Sequence, residues 1–341
     1  MTERKLARVV LIDNVSSIEK ADLIDSATVG GWNVVIKKNE FKVGQKAVYF
    51  EIDSMIPIEE EKFSFLSNRP SKLYSGVRYH KIRTILLRGV VSQGLLMGLD
   101  QLGLSEDLEV DTDLTEILHI TKFNDEYSEP ESSNCEYESN YPIFFPKTDK
   151  KRVQNIADKY RFHSGIYEVT MKLNGTSISI YKYNGKIGLA SRNTEIDINE
   201  EGSYRTGLLR SGILDFLESF EGNIVVQGEL LGPDIQKNQE GFDDYEIYIY
   251  DLFDIDSQRY YLPKERYDIC LANNLKHVPI IEYVDILKFE NVQDIIKYAN
   301  GRSINAKRRE GVVFRALKHD KKGNVYSFKV ISNEWLLKQE D

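Results

Sequence analysis

Cysteine is nearly missing from this chain. Two occur in 341 residues, Cys135 and Cys270, and they lie far apart. Neither a disulfide framework nor a zinc-type ligand spacing can be built from them. No apolar run is long enough to span a bilayer, and the opening MTERKLARVV is charged where a secretory leader is apolar. A disulfide-stapled secreted scaffold and a helical membrane protein are therefore not expected. The expected location is the cytoplasm or another reducing intracellular compartment.

A second absence is local. From Lys62 to Leu99 there is no Asp or Glu, while seven basic residues occur: Lys62, Arg69, Lys72, Arg78, Lys81, Arg83 and Arg88. From Asp100 to Asn140 the balance reverses, with thirteen acidic residues against Lys122. The net charge of −9 thus hides a polarised chain. A charge run is most often a solvated face. On a strand-rich domain, a basic block is also the electrostatic footprint of phosphate binding. Lys72, Arg78, Lys81, Arg83 and Arg88 are the nucleic-acid-binding candidates.

The length fits two domains better than one core. Residues 1–125 read as short strands (ARVVLIDNV, WNVVIKK, KAVYFEID, KIRTILLRG, VSQGLLMGL) punctuated by Gly and Pro. That pattern suggests a small OB-fold-like β-barrel. Residues 126–150, rich in Ser, Glu, Asn and Pro, read as a linker. In KKRVQNIADKY, the positions Val153, Ile156, Ala157 and Tyr160 fall on one helical face. Residues 151–341 then alternate apolar strands with amphipathic helices, giving an α+β domain built on antiparallel sheets. Tyr167 to Lys186 reads as two strands around a tight turn, with Asn184-Gly185 as the turn dipeptide.

Several polar residues interrupt apolar strands in this second domain. Lys172 stands two residues before Asn174-Gly175. Arg192 and Asn193 follow KIGLA, Glu229 breaks IVVQGELLG, Glu310 precedes GVVFR, and Lys329 lies inside VYSFKVIS. Outward-facing alternation explains one or two of these. Two lysines, two glutamates and an arginine, in or beside apolar strands, suggest a shared polar pocket, because an unpaired buried charge is costly.

The ordered series Lys172-Leu-Asn-Gly175, Ser191-Arg192-Asn193, Gly228-Glu229-Leu230, Phe253-Asp254-Ile255, Glu310-Gly-Val-Val313 and Ser327-Phe-Lys329 resembles the motifs of covalent nucleotidyltransferases. That superfamily contains DNA ligases, RNA ligases and mRNA capping enzymes. SFKVISNEWLLK and the strand-rich amino-terminal domain are most similar to the RNA ligases that place an OB-fold domain first, RNA ligase family five. The resemblance implies an ATP-dependent enzyme, expected to be monomeric, that seals 3′-OH and 5′-phosphate ends of RNA or of RNA-containing nicked duplexes. It implies Lys172 as the nucleophile that becomes lysyl-AMP. It also implies nucleotide contacts from Met171, Gly175, Ser177, Arg192, Glu229, Phe253 and Lys329, with Phe253 stacked on adenine. Gly175 is read as the small residue that lets phosphates approach the turn. Mg²⁺ or Mn²⁺ is expected near Glu310 and Glu229, held through water.

Two positions depart from the family pattern. Asn174 stands where ligases often have Asp, and Ser327 replaces the first of two lysines in the last motif. Arg315 is a candidate substitute for that lysine. The alternatives are a DNA ligase or a capping guanylyltransferase, both of which usually carry the OB domain after the catalytic one. A catalytically inactive nucleic-acid-binding protein is a third reading.

Overall fold

The computed structural model of the protein describes residues 4–74, 76–123, 141–157, 165–321 and 323–339. The chain divides into two compact units, residues 1–135 with 336–341, and residues 136–335. Cys135 and residues 126–140 of the expected linker lie outside the described residues.

The first unit contains β1 (Ala7–Leu11), β2 (Asn14–Ser17), β3 (Ile24–Val29), β4 (Trp32–Lys37), β5 (Lys46–Phe50), β6 (Ser54–Pro57), β7 (Lys72–Tyr74), β8 (Val77–Lys81), β9 (Thr84–Leu87), β10 (Val90–Gln93), β11 (Leu95–Met97) and β12 (Thr121–Lys122). They form small antiparallel sheets, ordered β1-β5-β11, β2-β3-β4, β12-β6-β8-β7 and β10-β9. One apolar core joins them, with Trp32, Tyr49, Phe50 and Phe63 fully buried. Alternation explains the fit: Trp32, Val34 and Ile36 point inward from β4 and the residues between them are more open.

The second unit contains β13 (Ile166–Lys172), β14 (Thr176–Tyr183), β15 (Lys186–Ala190), β16 (Glu195–Ile196), β17 (Ile224–Leu231), β18 (Glu246–Asp254), β19 (Arg259–Tyr260), β20 (Ile280–Asp285), β21 (Gly311–His319) and β22 (Val325–Ile331). Its helices are α1 (Ser203–Arg210), α2 (Ile213–Ser219), α3 (Pro263–Ala272) and α4 (Val292–Tyr298); α5 (Asn333–Gln339) follows β22. One antiparallel sheet has the order β20-β13-β21-β22 and the other β16-β15-β14-β17-β18-β19. No helix among the described residues is long and apolar enough to cross a membrane.

Each sheet has one largely apolar face, and the other carries the polar residues. Tyr167, Val169, Val312, Phe314, Phe328 and Val330 bury the outer face of the first sheet with Ile295 and Ile296 of α4. Ile178, Ile180, Ile224, Val226, Leu230 and Ile249 bury the outer face of the second, with Leu208, Phe216 and Cys270 from the helices. The period of two then places Glu168, Thr170, Lys172, Arg315 and Lys329 on the inner face of one sheet, and Ser177, Gln227 and Glu229 on that of the other. Alternation is therefore the reason the polar residues interrupt these strands. They turn toward the opposite sheet, where Arg315 meets Asp251 of β18.

Two sequence expectations change. Tyr167–Lys186 is not a single hairpin. Asn184-Gly185, with φ of 49° and 75°, closes β14 onto β15 as a two-residue turn needs. β13 pairs with β20 and β21 instead, so Lys172-Leu-Asn-Gly175 is where the chain crosses from one sheet to the other. The helix expected over KKRVQNIADKY is only a 3-10 turn at Val153–Ile156 within the described residues, and Tyr160 lies outside them. The preceding backbone is engaged elsewhere: the Lys329 amide donates to Lys151 O at 2.9 Å and Arg152 bridges to Lys329.

Candidate active site

The crossing between the sheets places Lys172 at the end of β13, half-buried, with Nζ 2.5 Å from Glu310 Oε2. Glu310 immediately precedes β21, which pairs with β13 so that Gly311 lies opposite Lys172. From the other sheet, Glu229 Oε1 accepts a hydrogen bond from the Gly175 amide at 3.0 Å. Gly175 has a steric reason to be glycine. A Cβ there would lie 2.3 Å from Leu230 O and 2.9 Å from Glu229 Cγ. The missing side chain lets the crossing loop press on β17.

Charges around the lysine shift one another. Burial pushes the Lys172 amine down, but Glu310 and Glu229 outweigh it and leave the pKa raised. Burial pushes the Glu229 carboxyl up to about 7, with Lys172 opposing and Glu310 adding to the rise. Burial also pushes Lys329 down to about 8, with Asp149 opposing and Lys172 reinforcing the fall. Arg192, on the loop after β15, places Nη2 at 2.7 Å from both Asp149 carboxylate oxygens. Lys329 Nζ lies 3.6 Å from Asp149 Oδ1.

Beside the lysine is an apolar floor. Leu173, Leu231 and Val278 are buried there, with Met171, Phe242, Tyr248, Tyr250 and Ile304 packed against them and partly open. A chain of hydroxyls borders it: Ser177 Oγ lies 3.1 Å from Tyr250 Oη and 2.9 Å from Thr148 Oγ1. The loop carrying Ile304 is fastened by the buried Glu240 carboxylate. That carboxylate accepts from Ser303 Oγ and from the amides of Asn305 and Ala306.

An OB-fold domain model matches residues 6–99 and an RNA ligase model matches residues 165–331. No curated protein matches the chain at a significant level. Among solved structures, a lysine-to-alanine variant of Naegleria gruberi RNA ligase with ATP and Mn is 35% identical, with a TM-score of 0.88 over 98% of this chain and 99% of that one. The same enzyme with PPi is 36% identical, with a TM-score of 0.87 over 99% and 100%. A lysine-to-methionine variant with AMP and Mn gives 35% and 0.88 over 99% and 100%. The chain belongs to the RNA ligase family.

In this RNA ligase the first unit is the OB-fold domain and the second the ligase domain. Lys172, Glu229 and Glu310 converge as expected from the sequence, and Asp149 joins Arg192 to Lys329. Met171 borders the apolar floor and Ser177 its hydroxyl chain. Phe253 is not brought to the lysine. It is buried with Tyr141, Phe145 and Val225 and meets Tyr260 edge-on at 5.0 Å. The aromatics of β18 beside Lys172 are Tyr248 and Tyr250. Tyr250 is the extra residue at a bulge where Gln227 pairs with Asp251 and Gly228 with Ile249.

Arg315 is not a free substitute for a second motif lysine. It pairs in register with Ser327, but its buried guanidinium is taken up by Asp251 at 2.8 Å and Thr170 Oγ1 at 2.8 Å. Sequence reasoning also missed Thr148 and Asp149, which fall in the expected linker. That segment is tied down by Tyr141 and Phe145, whose aromatic character was the available signal.

The nucleic-acid-binding candidates of the OB-fold domain lie on and between two successive hairpins, β7–β8 and β9–β10. Lys72, Arg78, Arg83 and Arg88 are exposed, Arg88 at the β9–β10 tip with φ 50°. Lys81 is half-buried. Its Nζ lies 3.8 Å from the Phe123 ring centroid and 3.5 Å from Asp53 Oδ1, and Lys72 Nζ lies 4.7 Å from the same ring.

Proposed function

We propose that Lys172 is the nucleophile of an ATP-dependent RNA ligase, forming a covalent lysyl-AMP. The supporting observation is Lys172 Nζ set against Glu310 at the sheet crossing, with Glu229 on the facing strand. The amine attacks the α-phosphorus of ATP, a P–N bond forms, and the bond to pyrophosphate breaks. A 5′-phosphate oxygen of RNA then displaces Lys172 from the AMP. A 3′-OH finally attacks the activated 5′-phosphorus, making the phosphodiester and releasing AMP.

The chain's own groups meet the requirements of these steps. An amine attacks only when neutral, and Glu310 and Glu229 hold the Lys172 proton until positive charge arrives beside them. Lys329 and Arg192 supply fixed positive charge for phosphate oxygens. The floor of Met171, Leu173, Tyr248, Tyr250 and Ile304 offers planar and apolar surfaces for the adenine base.

A divalent cation fits this site. Glu229 and Glu310 are hard oxygen donors, and no cluster of three metal-ligating side chains occurs among the described residues. Such an ion would complete its shell with water and phosphate oxygens, as Mg²⁺ and Mn²⁺ commonly do. When bound, it supplies positive charge that favours the neutral lysine and offsets the phosphates.

The test is covalent labelling with radioactive ATP. Lys172→Ala is expected to form no adduct, and an adduct of unchanged yield would reassign the nucleophile. The hairpin cations are proposed to contact RNA phosphates. Arg78→Ser with Arg88→Ser should then reduce the slope of log affinity against log salt by about 1.4 on single strands, about 0.7 per phosphate. An unchanged slope would remove these arginines from the interface.

A further inference from the structure

The segment from Pro146 to Arg152 runs along the cleft as a strap. Pro146 O accepts from Gln227 Nε2 at 2.9 Å, and Thr148 Oγ1 meets Ser177 Oγ. Lys150 Nζ lies 3.1 Å from Asp251 Oδ2, and Lys151 O accepts from the Lys329 amide. The strap is therefore fastened on both sides of Asp149. Between these anchors Asp149 presents the strap's single carboxylate, and it does so to Arg192 and Lys329 together. These are the two cations assigned above to the phosphates of ATP.

We propose that Asp149 is an internal phosphate mimic, occupying the anion position of the free enzyme until ATP or pyrophosphate displaces it. This rests on the assignment of Arg192 and Lys329 to phosphate binding. A carboxylate bound to a guanidinium copies the charge and the hydrogen-bond acceptors that a phosphate oxygen pair would present. Both cannot hold the same Arg192 nitrogen, and a carboxylate left beside the polyanion would be repelled by it. Asp149 and Arg192 are each nearly half exposed, so the side chain can rotate into water while Thr148 and Lys150 keep the strap in place. The enzyme would then bind ATP more weakly than its cations allow. After adenylylation and loss of pyrophosphate, Asp149 would return to its cations and oppose the re-entry of pyrophosphate that reverses the step.

The experiment measures the ATP dependence of single-turnover adenylylation and the pyrophosphate dependence of lysyl-AMP loss. Asp149→Asn is expected to lower both half-saturating concentrations about fivefold, while Asp149→Glu stays near the parent. Weaker or unchanged binding of both anions by Asp149→Asn would overturn the proposal, making Asp149 a positioning group or a bystander. Asp244→Asn, which removes an exposed partner of Arg210, controls for net charge, and equal tightening there would also overturn it. Arg192→Ala and Lys329→Ala test the underlying assignment separately. If neither weakens ATP or pyrophosphate, the phosphate assignment itself fails, whatever Asp149→Asn shows.

Discussion

Two clusters of charge share the space between the sheets of the ligase domain, and they are built differently. One is Lys172, Glu229 and Glu310. The other lies four residues back along β13 at Glu168, which pairs with Arg266 of α3. Arg266 Nη1 also lies 3.6 Å from Asp251, and Asp251 takes Arg315 and Lys150 at 2.8 and 3.1 Å. Glu168 and Arg266 are wholly buried, whereas Lys172 keeps 24% of its side chain exposed. The closed cluster holds two carboxylates among three cations, Arg266, Arg315 and Lys150. Burial pushes the Asp251 carboxyl up, but Arg315, Lys150 and Arg266 together hold it well below the usual carboxylate range. The open cluster sets two glutamates against one lysine and leaves Glu229 poised to take a proton. The difference separates a tie between sheets from a site that expects further charge.

Breaking each cluster should give effects of different size. Removing one partner of a buried ion pair costs about 3–5 kcal/mol, because the remaining charge is stranded. Asp251→Asn and Arg266→Met are expected to lose that much stability in urea unfolding of the full chain. Lys172→Met should cost less than about 1 kcal/mol, since water reaches the site and functional residues are seldom placed for stability. Equal losses would mean that the two clusters do not differ in the way their burial indicates.

The sequence could not separate these clusters. Glu168, Asp251 and Arg315 interrupt apolar strands just as Lys172, Glu229 and Lys329 do, and a period of two reports a face without naming the partner across it. The active-site set was legible because its motifs occur in order. Arg266 sits on a helix whose pattern gives no sign that it reaches two strands. Phe253 was misplaced for a different reason. Its place came from the motif order alone, and Phe253 pairs with Val225, four residues along β17 from Glu229, where Tyr141 and Phe145 cover it. The two-unit division was legible from composition, while the strap was not, because Pro, Lys, Thr and Asp read as linker wherever no partner is visible.

The clusters should also titrate in different windows. In the closed one, burial and Arg266 push His277 down to about 3. Its Nε2 accepts from Arg266 Nε at 2.9 Å and its Nδ1 donates to Val278 O, a neutral tautomer with both nitrogens engaged. The unfolded chain takes up this proton near pH 6.5 and the folded chain does not. Stability from this group is therefore complete above about 6.5 and falls as pH drops, by up to about 1.4 kcal/mol per unit. His277→Gln, which keeps an acceptor for Arg266, should flatten that slope between pH 6.5 and 4.5. In the open region Lys329 carries charge only below about 8. Adenylylation should decline as pH rises through that value, and Lys329→Arg, whose cation does not titrate there, should carry activity to higher pH. A rate decline that persists unchanged in Lys329→Arg, or an acid slope that persists in His277→Gln, would assign the titration to another group and erase that half of the contrast.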